Sequence, residues 1–313
     1  MTDNTITRSE SEFDWFKQNG IYMPMINDTG RNVYYKRAIE AAVPGKVVCD
    51  IGTGTGLLSI LAAKAGAKKV YSVEMDPGRA DFAIKVIDKI GLSDKITVIN
   101  KNFYETDIHA DIFVSETIGT PVFNEDIIGI SKHALRHGGT FIPASFDLHI
   151  EVYEDHPIFP LVLTESAAFE FQPDIEIDPV FEQIINTSFQ SQHPLETTVY
   201  RAGAIHNLFT MLPRFNDLKL KKLYQTEPLR VDLNHTADIS RINLTIPGSQ
   251  IKTANTFVVV LFWTANMYND IQMSVKETWW GNPAKVILQR VRKPGSDIIM
   301  YYDSRINDWK LKY

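Results

Sequence analysis

The stretch Val47–Glu74, VVCDIGTGTGLLSILAAKAGAKKVYSVE, constrains the fold of this chain more than any other. An apolar run ends in Asp50, glycines follow at Gly52, Gly54 and Gly56, a run of helix formers stops at Gly66, and a second apolar segment ends in Glu74. That order predicts strand, tight turn, helix and second strand, with an acid at the tip of each strand. Glycines let the backbone turn sharply and lie close to a ligand, and the helix that follows offers it unpaired N–H groups. The pattern points to a nucleotide-type ligand. An ordinary glycine-rich αβ turn is the bland alternative, and it leaves the ordered pair of acids unexplained.

The detail of the turn separates two kinds of nucleotide. A dinucleotide fingerprint is Gly-x-Gly-x-x-Gly. Here the third glycine, Gly56, comes one position early, and Leu57 stands where that fingerprint has glycine. Asp50 would be a poor neighbour for a pyrophosphate that already carries two charges. As an acceptor it can instead take an amino group or tie down the loop. Glu74 suits two vicinal ribose hydroxyls in either cofactor class. The balance favours a nucleoside without phosphates, for which S-adenosylmethionine is the candidate, and disfavours a dehydrogenase.

The 313 residues suffice for one large domain or two moderate ones,. A net charge of -6 argues against a generic nucleic-acid binder,. The apolar run TFVVVLFWTA is too short to span a membrane and reads as a buried strand,. The single cysteine, Cys49, lies in VVCDI and leaves no disulfide framework, which fits a reducing, cytoplasmic setting,. The start, MTDNTITRSESEF, is polar and acidic where a secretory signal would be basic and then apolar,.

Ahead of the glycine turn, residues 1–45 form a lead with a predicted helix around Arg31–Ala42, capped by Asp28 or Asn27,. Its aromatics, Tyr34 and Tyr35 among them, either pack the lead onto the domain or build a substrate channel. Arg31 can meet a methionyl carboxylate in a charge-assisted pair. After Glu74, strands alternate with helices to about residue 142, predicting a mainly parallel sheet covered on both faces,. Glu105 lies just beyond one strand, placed either to accept from an adenine amino group or to face solvent. The segment SETIGTPVFNED sets Glu116 and Glu125 nine residues apart, around turn-prone Gly119 and Pro121,. Two carboxylates facing one pocket suit a metal or a guanidinium. No neighbouring histidine and aspartate spacing completes a metal site, so no metal is expected. From about Gly139, short strand-like segments separated by polar turns predict a second, β-rich domain,.

The chain resembles the protein arginine methyltransferases, a class I S-adenosylmethionine-dependent family. The resemblance rests on MINDTGRNVYY (Met25–Tyr35), DIGTGTGLLS, Glu74, DKITVINKN followed by Glu105, and SETIGTPVFNE; the wording is most like the monomethylarginine-forming branch. It implies a Rossmann-like seven-stranded domain at 46–142 and a β-barrel-like substrate domain at 143–313, with a dimerisation arm near 156–196. It implies that Glu116 and Glu125 grip the substrate guanidinium. Arg31, Glu74 and Glu105 would bind the cofactor's carboxylate, ribose and adenine ends, with Gly52, Gly54 and Gly56 under its methionyl part and S-adenosylhomocysteine as product. One departure stands out. In KETWWGNPAKVILQ, Thr278, Trp279 and Trp280 match the family's threonine-histidine-tryptophan loop, so Trp279 replaces a histidine that would pair with Asp28. Trp279 and Trp280 can wall an arginine channel by stacking; interface core is the alternative. The expected acceptor is arginine in a peptide or protein, with free arginine or another small guanidino or amino compound as one alternative and an inactive cofactor-binding interaction protein as another.

Overall fold

Four elements of the lead and the glycine turn take shape in chain order: helix α1 (Thr29–Ala42), strand β1 (Val47–Ile51), helix α2 (Leu57–Lys64) and strand β2 (Lys69–Glu74). The computed structural model describes residues 25–26, 28–119, 122–154, 221–235, 242–251, 256–278, 285–290 and 296–312. Asp28 starts α1 by accepting from the Arg31 backbone N–H at 3.1 Å, satisfying a donor that the first turn leaves free,. Helix α2 has buried residues from Leu57 through Ala63, because it is covered on all sides,. Helix α3 (Pro77–Ile90) is capped by Asp76 at 2.8 Å from the Arg79 N–H, has Pro77 in its first turn, and stops at Gly91,.

With β3 (Ile96–Asn100), β4 (Ile112–Ser115), helix α4 (Ile127–Leu135) and β5 (Thr140–Ile142), these strands form a parallel sheet of order β3-β2-β1-β4-β5. Each strand pair is parallel. The chain runs outward from β1 in one direction, then returns to place β4 on its other side. Ligands in such sheets lie outside the carboxyl ends of the strands, where the order reverses.

Seven strands were expected in this sheet, and five are present among the described residues. The reason lies at the edge of β5. Asn234 uses its side-chain amide as a strand would, its Oδ1 accepting from Phe141 N at 2.7 Å and its Nδ2 donating to Phe141 O at 3.0 Å. Among the described residues, the outward N–H and carbonyl of Phe141 are thereby satisfied by a side chain,. The next strand follows after only Pro143 and Ala144, too short a link for a parallel crossover, and it turns away,.

That strand, β6 (Ser145–Glu154), belongs to a separate antiparallel region. The further strands are β7 (Lys222–Gln225), β8 (Leu229–Asp232), β9 (Asn243–Ile246), β10 (Thr256–Tyr268), β11 (Ile271–Ser274), β12 (Lys285–Arg290), β13 (Ile298–Asp303) and β14 (Asp308–Lys312). Strand β10 pairs with β6 from Phe257 opposite Glu154 to Asn266 opposite Ser145. Strands β11 and β12 extend this sheet on β10, and β7 and β8 on β6, while β14-β13-β9 make a second, three-stranded sheet. Phe146, Leu148, Ile150 and Val152 alternate along β6 and are fully buried, so one face of the strand is core,. At about 1.5–3 kcal/mol for each large apolar side chain, this face is a main source of the region's stability. The apolar run in β10 is the buried strand that its composition predicts, with Val259 through Trp263 all buried. The arm expected near 156–196 lies outside the described residues. Among the described residues, no helix is long and apolar enough to cross a membrane.

Candidate active site

A cavity of about 400 Å³ opens at the carboxyl ends of the parallel strands. Its volume suits a small molecule or cofactor. The glycine turn forms one wall, with Gly52, Thr53, Gly54 and Thr55 lining it; Glu74 lines it from the tip of β2, and Glu116 and Glu125 from the loop after β4. Arg31 reaches in from α1. The sheet therefore gathers residues from four separate stretches of sequence at one opening.

Gly52, Gly54 and Gly56 all have positive φ, at 74°, 54° and 86°. Gly52 and Gly54 face the cavity; Gly56, expected beneath the ligand, instead forms the left-handed start of α2 and does not line it. Asp50 departs further from expectation. It is fully buried and does not line the cavity. Thr53 and Ser59 each donate a hydroxyl to its Oδ2 at 2.7 Å, and Ser72 donates to Thr53 at 2.7 Å. Its other oxygen, Oδ1, has no hydrogen-bond partner among the described residues. Burial raises this carboxyl to about 6, against the lowering effect of those hydroxyls,. Asp50 thus ties the turn together from behind.

Glu74 is buried, yet it reaches the cavity wall. Its Oε2 accepts from Gly54 N at 3.0 Å and its Oε1 from Asp76 N at 2.9 Å. A carboxylate has about four acceptor sites, so both oxygens are fixed in direction and keep capacity for two further donors.

Arg31 is 4% exposed, and its contacts include Nη1 to Glu116 Oε2 at 2.8 Å, Nε to Asn32 Oδ1 at 3.2 Å, and Nη2 to the Met25 carbonyl. The expected partner was a cofactor carboxylate; the chain's own partner is Glu116. Glu116 keeps one buried oxygen, Oε1, with no hydrogen-bond partner among the described residues. Burial pushes its carboxyl up to about 8; Arg31 opposes that rise, and the nearby charge of Glu125 adds to it,. Glu125 is reachable from the cavity mouth, and the protein around it raises its carboxyl despite the opposing charges of Arg79 and Arg31. Two carboxyls with raised values and one unused buried acceptor make a site that a delocalised cation with several N–H donors would relieve.

The loop carrying these two acids has an unusual backbone. Phe123 and Asp126 adopt positive φ of 77° and 63°. Such conformations in non-glycine residues cost about 1–3 kcal/mol and persist where the surroundings fix them. At Gly119, φ is 75°, and an added Cβ would lie 1.7 Å from Asn124 Oδ1. Glycine takes this φ without strain, and any side chain here would have to displace Asn124,.

Several expected site residues fall elsewhere. Glu105 is exposed and does not line the cavity. Asn102 accepts from Tyr104 N at 3.1 Å and starts a tight 3-10 turn, Phe103–Glu105, in which Tyr104, itself exposed, lines the cavity and Glu105 does not. Tyr104 then donates to Asp126 Oδ2 at 2.6 Å, joining this turn to the end of the acid-bearing loop. Tyr35 is buried and donates to Ser115 O at 2.8 Å, and Tyr34 donates to Glu277 Oε2 at 2.9 Å; neither lines the cavity. Asp28, one of the two residues expected to cap α1, does so. The lead meets the antiparallel region through Tyr34 and Glu277, and through Gly30, where a Cβ would lie 1.8 Å from Glu277 O. Trp279 and Trp280 lie outside the described residues.

The sequence reading missed Met75, Arg79, Lys101, Asn102, Tyr104 and Thr117, all of which line the cavity. Their shared signal is proximity to a strand's carboxyl end. Arg79 follows the Asp76-Pro77 helix start, and Tyr104 precedes Glu105 by one residue, so the strand ends were found but not which side chain turned inward.

Residues 37–145 match the family model of ribosomal protein L11 methyltransferase (PrmA). The chain is 40% identical over 131 residues to protein arginine N-methyltransferase 7 of Cricetulus longicaudatus, a match covering 37% of this chain and 19% of that protein. It is 37% identical over 161 residues to an arginine N(omega)-methyltransferase of Streptomyces achromogenes subsp. streptozoticus, covering 48% of this chain and 45% of the relative. The matches thus span less than half the length of these curated relatives. Among solved structures, the Trypanosoma brucei PRMT1 enzyme-prozyme heterotetrameric complex with AdoHcy aligns with a TM-score of 0.60 at 18% identity, covering 91% of this chain and 89% of that one. A PRMT6-SAH structure aligns with a TM-score of 0.59 at 18% identity, covering 94% and 98%. At that identity the structural likeness establishes the fold: a parallel sheet with helices, followed by a separate antiparallel region.

Proposed function

We infer that this chain, which belongs to the protein arginine methyltransferase family, transfers a methyl group from S-adenosylmethionine to a guanidino nitrogen of arginine. The observation that carries this reading is the convergence of Glu116 and Glu125 on the same cavity as the glycine turn and Glu74. The residues present fit the cofactor. Glu74 holds two oriented oxygens for vicinal hydroxyls, Arg31 supplies a guanidinium for a carboxylate, and Leu57 and Leu58 give apolar wall,. Gly56 and Asp50 support the turn from behind, and Tyr104 with Met75 takes the place expected of Glu105.

When bound, S-adenosylmethionine supplies an electrophilic methyl on a sulfonium, which becomes S-adenosylhomocysteine as the carbon–sulfur bond breaks and its electron pair stays on sulfur. Glu116 and Glu125 accept from the acceptor's N–H groups, drawing guanidinium charge away from the attacking nitrogen and aligning its lone pair. The buried Glu116 Oε1 is one such acceptor. As the nitrogen–carbon bond forms, the guanidinium loses one proton, and Glu116 is placed to receive it, its burial having made it a stronger base than an ordinary carboxylate,.

Arginine within a peptide or protein is the first acceptor class of this reading. Free arginine is the second, favoured by the likeness to the Streptomyces arginine N(omega)-methyltransferase. The reading includes a barrel-like substrate domain, a homodimer, walls formed by Trp279 and Trp280, monomethylarginine as product, and a cytoplasmic setting that suits the buried Cys49. Incubation with labelled S-adenosylmethionine and either arginine peptides, native extracts or free arginine, followed by mass spectrometry, tests it. Methylation of a guanidino group is expected, and competition between peptide and free arginine ranks the acceptors. Tight binding of S-adenosylhomocysteine without methylation of any acceptor would favour an inactive cofactor-binding protein.

A further inference from the structure

We propose that the C-terminal hairpin β13–β14 is the positioning element for the two acceptor carboxylates, acting through Trp309 and Tyr302. The proposal rests on the assignment of Glu116 and Glu125 to acceptor binding, and it adds a remote determinant of their geometry. Trp309 Nε1 donates to the Val122 carbonyl at 2.9 Å. The Tyr302 hydroxyl shares its hydrogen between the Phe123 carbonyl at 3.2 Å and Asn307 Oδ1 at 2.9 Å. Both carbonyls belong to the stretch just before Glu125. Both donors come from paired positions of the hairpin, where Tyr302 lies opposite Trp309.

The same two rings hold the residue with the unusual backbone. The Phe123 ring is fully buried, with the Tyr302 ring centroid at 5.7 Å, the Trp309 ring stacked at 6.3 Å, and Phe146 of β6 edge-on at 5.2 Å. Phe123 is therefore fixed by its side chain in the antiparallel region and by its carbonyl on Tyr302, while its φ of 77° turns the chain toward Glu125. Its own N–H donates to Ile118 O at 2.7 Å, and Asp126 N donates to Phe123 O at 3.1 Å, so the turn closes on this residue. A chain in this conformation relaxes once its anchors are removed. Trp309 and Tyr302 touch neither the cavity nor an acceptor, and their effect on the reaction passes through the loop.

The test removes one donor at a time while keeping an aromatic side chain at each position. Trp309→Phe and Tyr302→Phe are compared with Tyr301→Phe, a neighbour on the same strand whose side chain alternates to the opposite face,. Expected for Trp309→Phe are faster hydrogen exchange at the Phe123 and Asp126 amides with β1 and β2 unchanged, roughly tenfold lower kcat, and S-adenosylhomocysteine affinity within about twofold. Tyr302→Phe gives the same pattern more weakly, because its hydroxyl is shared. Tyr301→Phe changes none of these. If Trp309→Phe does not fold, Tyr302→Phe decides. Unaltered exchange at Phe123 and Asp126 in the folded variants overturns the proposal, as does a uniform rise in exchange across the parallel sheet, which marks ordinary core packing. Failure of the wild-type chain to methylate any guanidino group would instead count against the proposed function, and the exchange result would still decide whether the hairpin holds the loop.

Discussion

The two loops that face each other across the cavity are built in opposite ways. The glycine turn after β1 is self-contained: Asp50, Thr53, Ser59 and Ser72 brace it, and its longest hydroxyl link spans 19 residues of sequence. The loop after β4 carries two acids with raised carboxyls, residues at positive φ, and anchors at Tyr302 and Trp309, 179 and 187 residues from the carbonyls they hold. One loop is fixed by its own strand–turn–helix unit, the other by a separate antiparallel region. A ligand-binding turn needs only local order, whereas a pair of like charges brought together needs outside support against its own repulsion.

This contrast can be broken most sharply at Glu116. Glu116→Gln keeps the shape of the side chain and removes its capacity to ionise; kcat is expected to fall by roughly 10²–10³-fold, the scale seen when one preorganised transition-state contact is lost. Binding of S-adenosylhomocysteine, measured by calorimetry, stays within a few-fold. A loss confined to cofactor affinity would join the two loops into a single cofactor site. Gly119→Ala comes next. Its Cβ collides with Asn124, so the acid-bearing loop opens and kcat falls by at least about tenfold while the glycine turn still binds cofactor,.

Asp50→Asn sharpens the comparison from the other side. It disturbs the buried hydroxyl network, and a denaturant midpoint series should show a loss of about 1–3 kcal/mol accompanied by weaker cofactor binding. The acid-bearing loop, followed by exchange at Phe123, is expected to remain as it is.

The titration of Glu116 separates the loops by pH. Its native value of about 8 lies above its ordinary value of 4.5, chiefly because of burial. The native state therefore holds a proton that the unfolded chain has already released. The stabilising contribution is complete below the unfolded value and is lost as pH rises through about 8. Tm of the wild-type chain should fall relative to Glu116→Gln over that interval, while kcat/KM rises as the carboxylate forms. Parallel Tm curves for the two proteins would remove the charge argument. The smallest expected effect belongs to Tyr34→Phe. It removes a partly solvated hydrogen bond to Glu277 and should cost no more than about 1 kcal/mol in chemical denaturation,.

The cofactor side was legible because its signals are local. Glycines at fixed offsets, an Asp before them and a Glu at the next strand tip follow from the geometry of one strand–turn–helix–strand unit, and α1, α3 and their caps follow from neighbouring residues. Even here, Tyr104 lines the cavity and Glu105 does not, because a single 3-10 turn set by Asn102 decides which of them borders it. Asp50 was correctly placed at the strand tip, but only burial shows that it faces the interior of the turn. For the acceptor side, the sequence supplied the two acids and the turn-forming Gly119, and nothing in that segment names its anchors.

By itself, then, the amino-acid sequence determined the parallel α/β unit and the glycine turn with Glu74, since each depends on contacts within a short span, and it supplied Glu116 and Glu125 without the contacts that hold them. Tertiary structure decided how the outer edge of β5 is met among the described residues, because Asn234 reaches Phe141 from a distant loop. It decided that Arg31 pairs with Glu116, and that Trp309 and Tyr302 hold the chain beside Glu125. Those outcomes depend on donors and acceptors far apart in sequence, and no local pattern specifies which of them will meet once the core has closed.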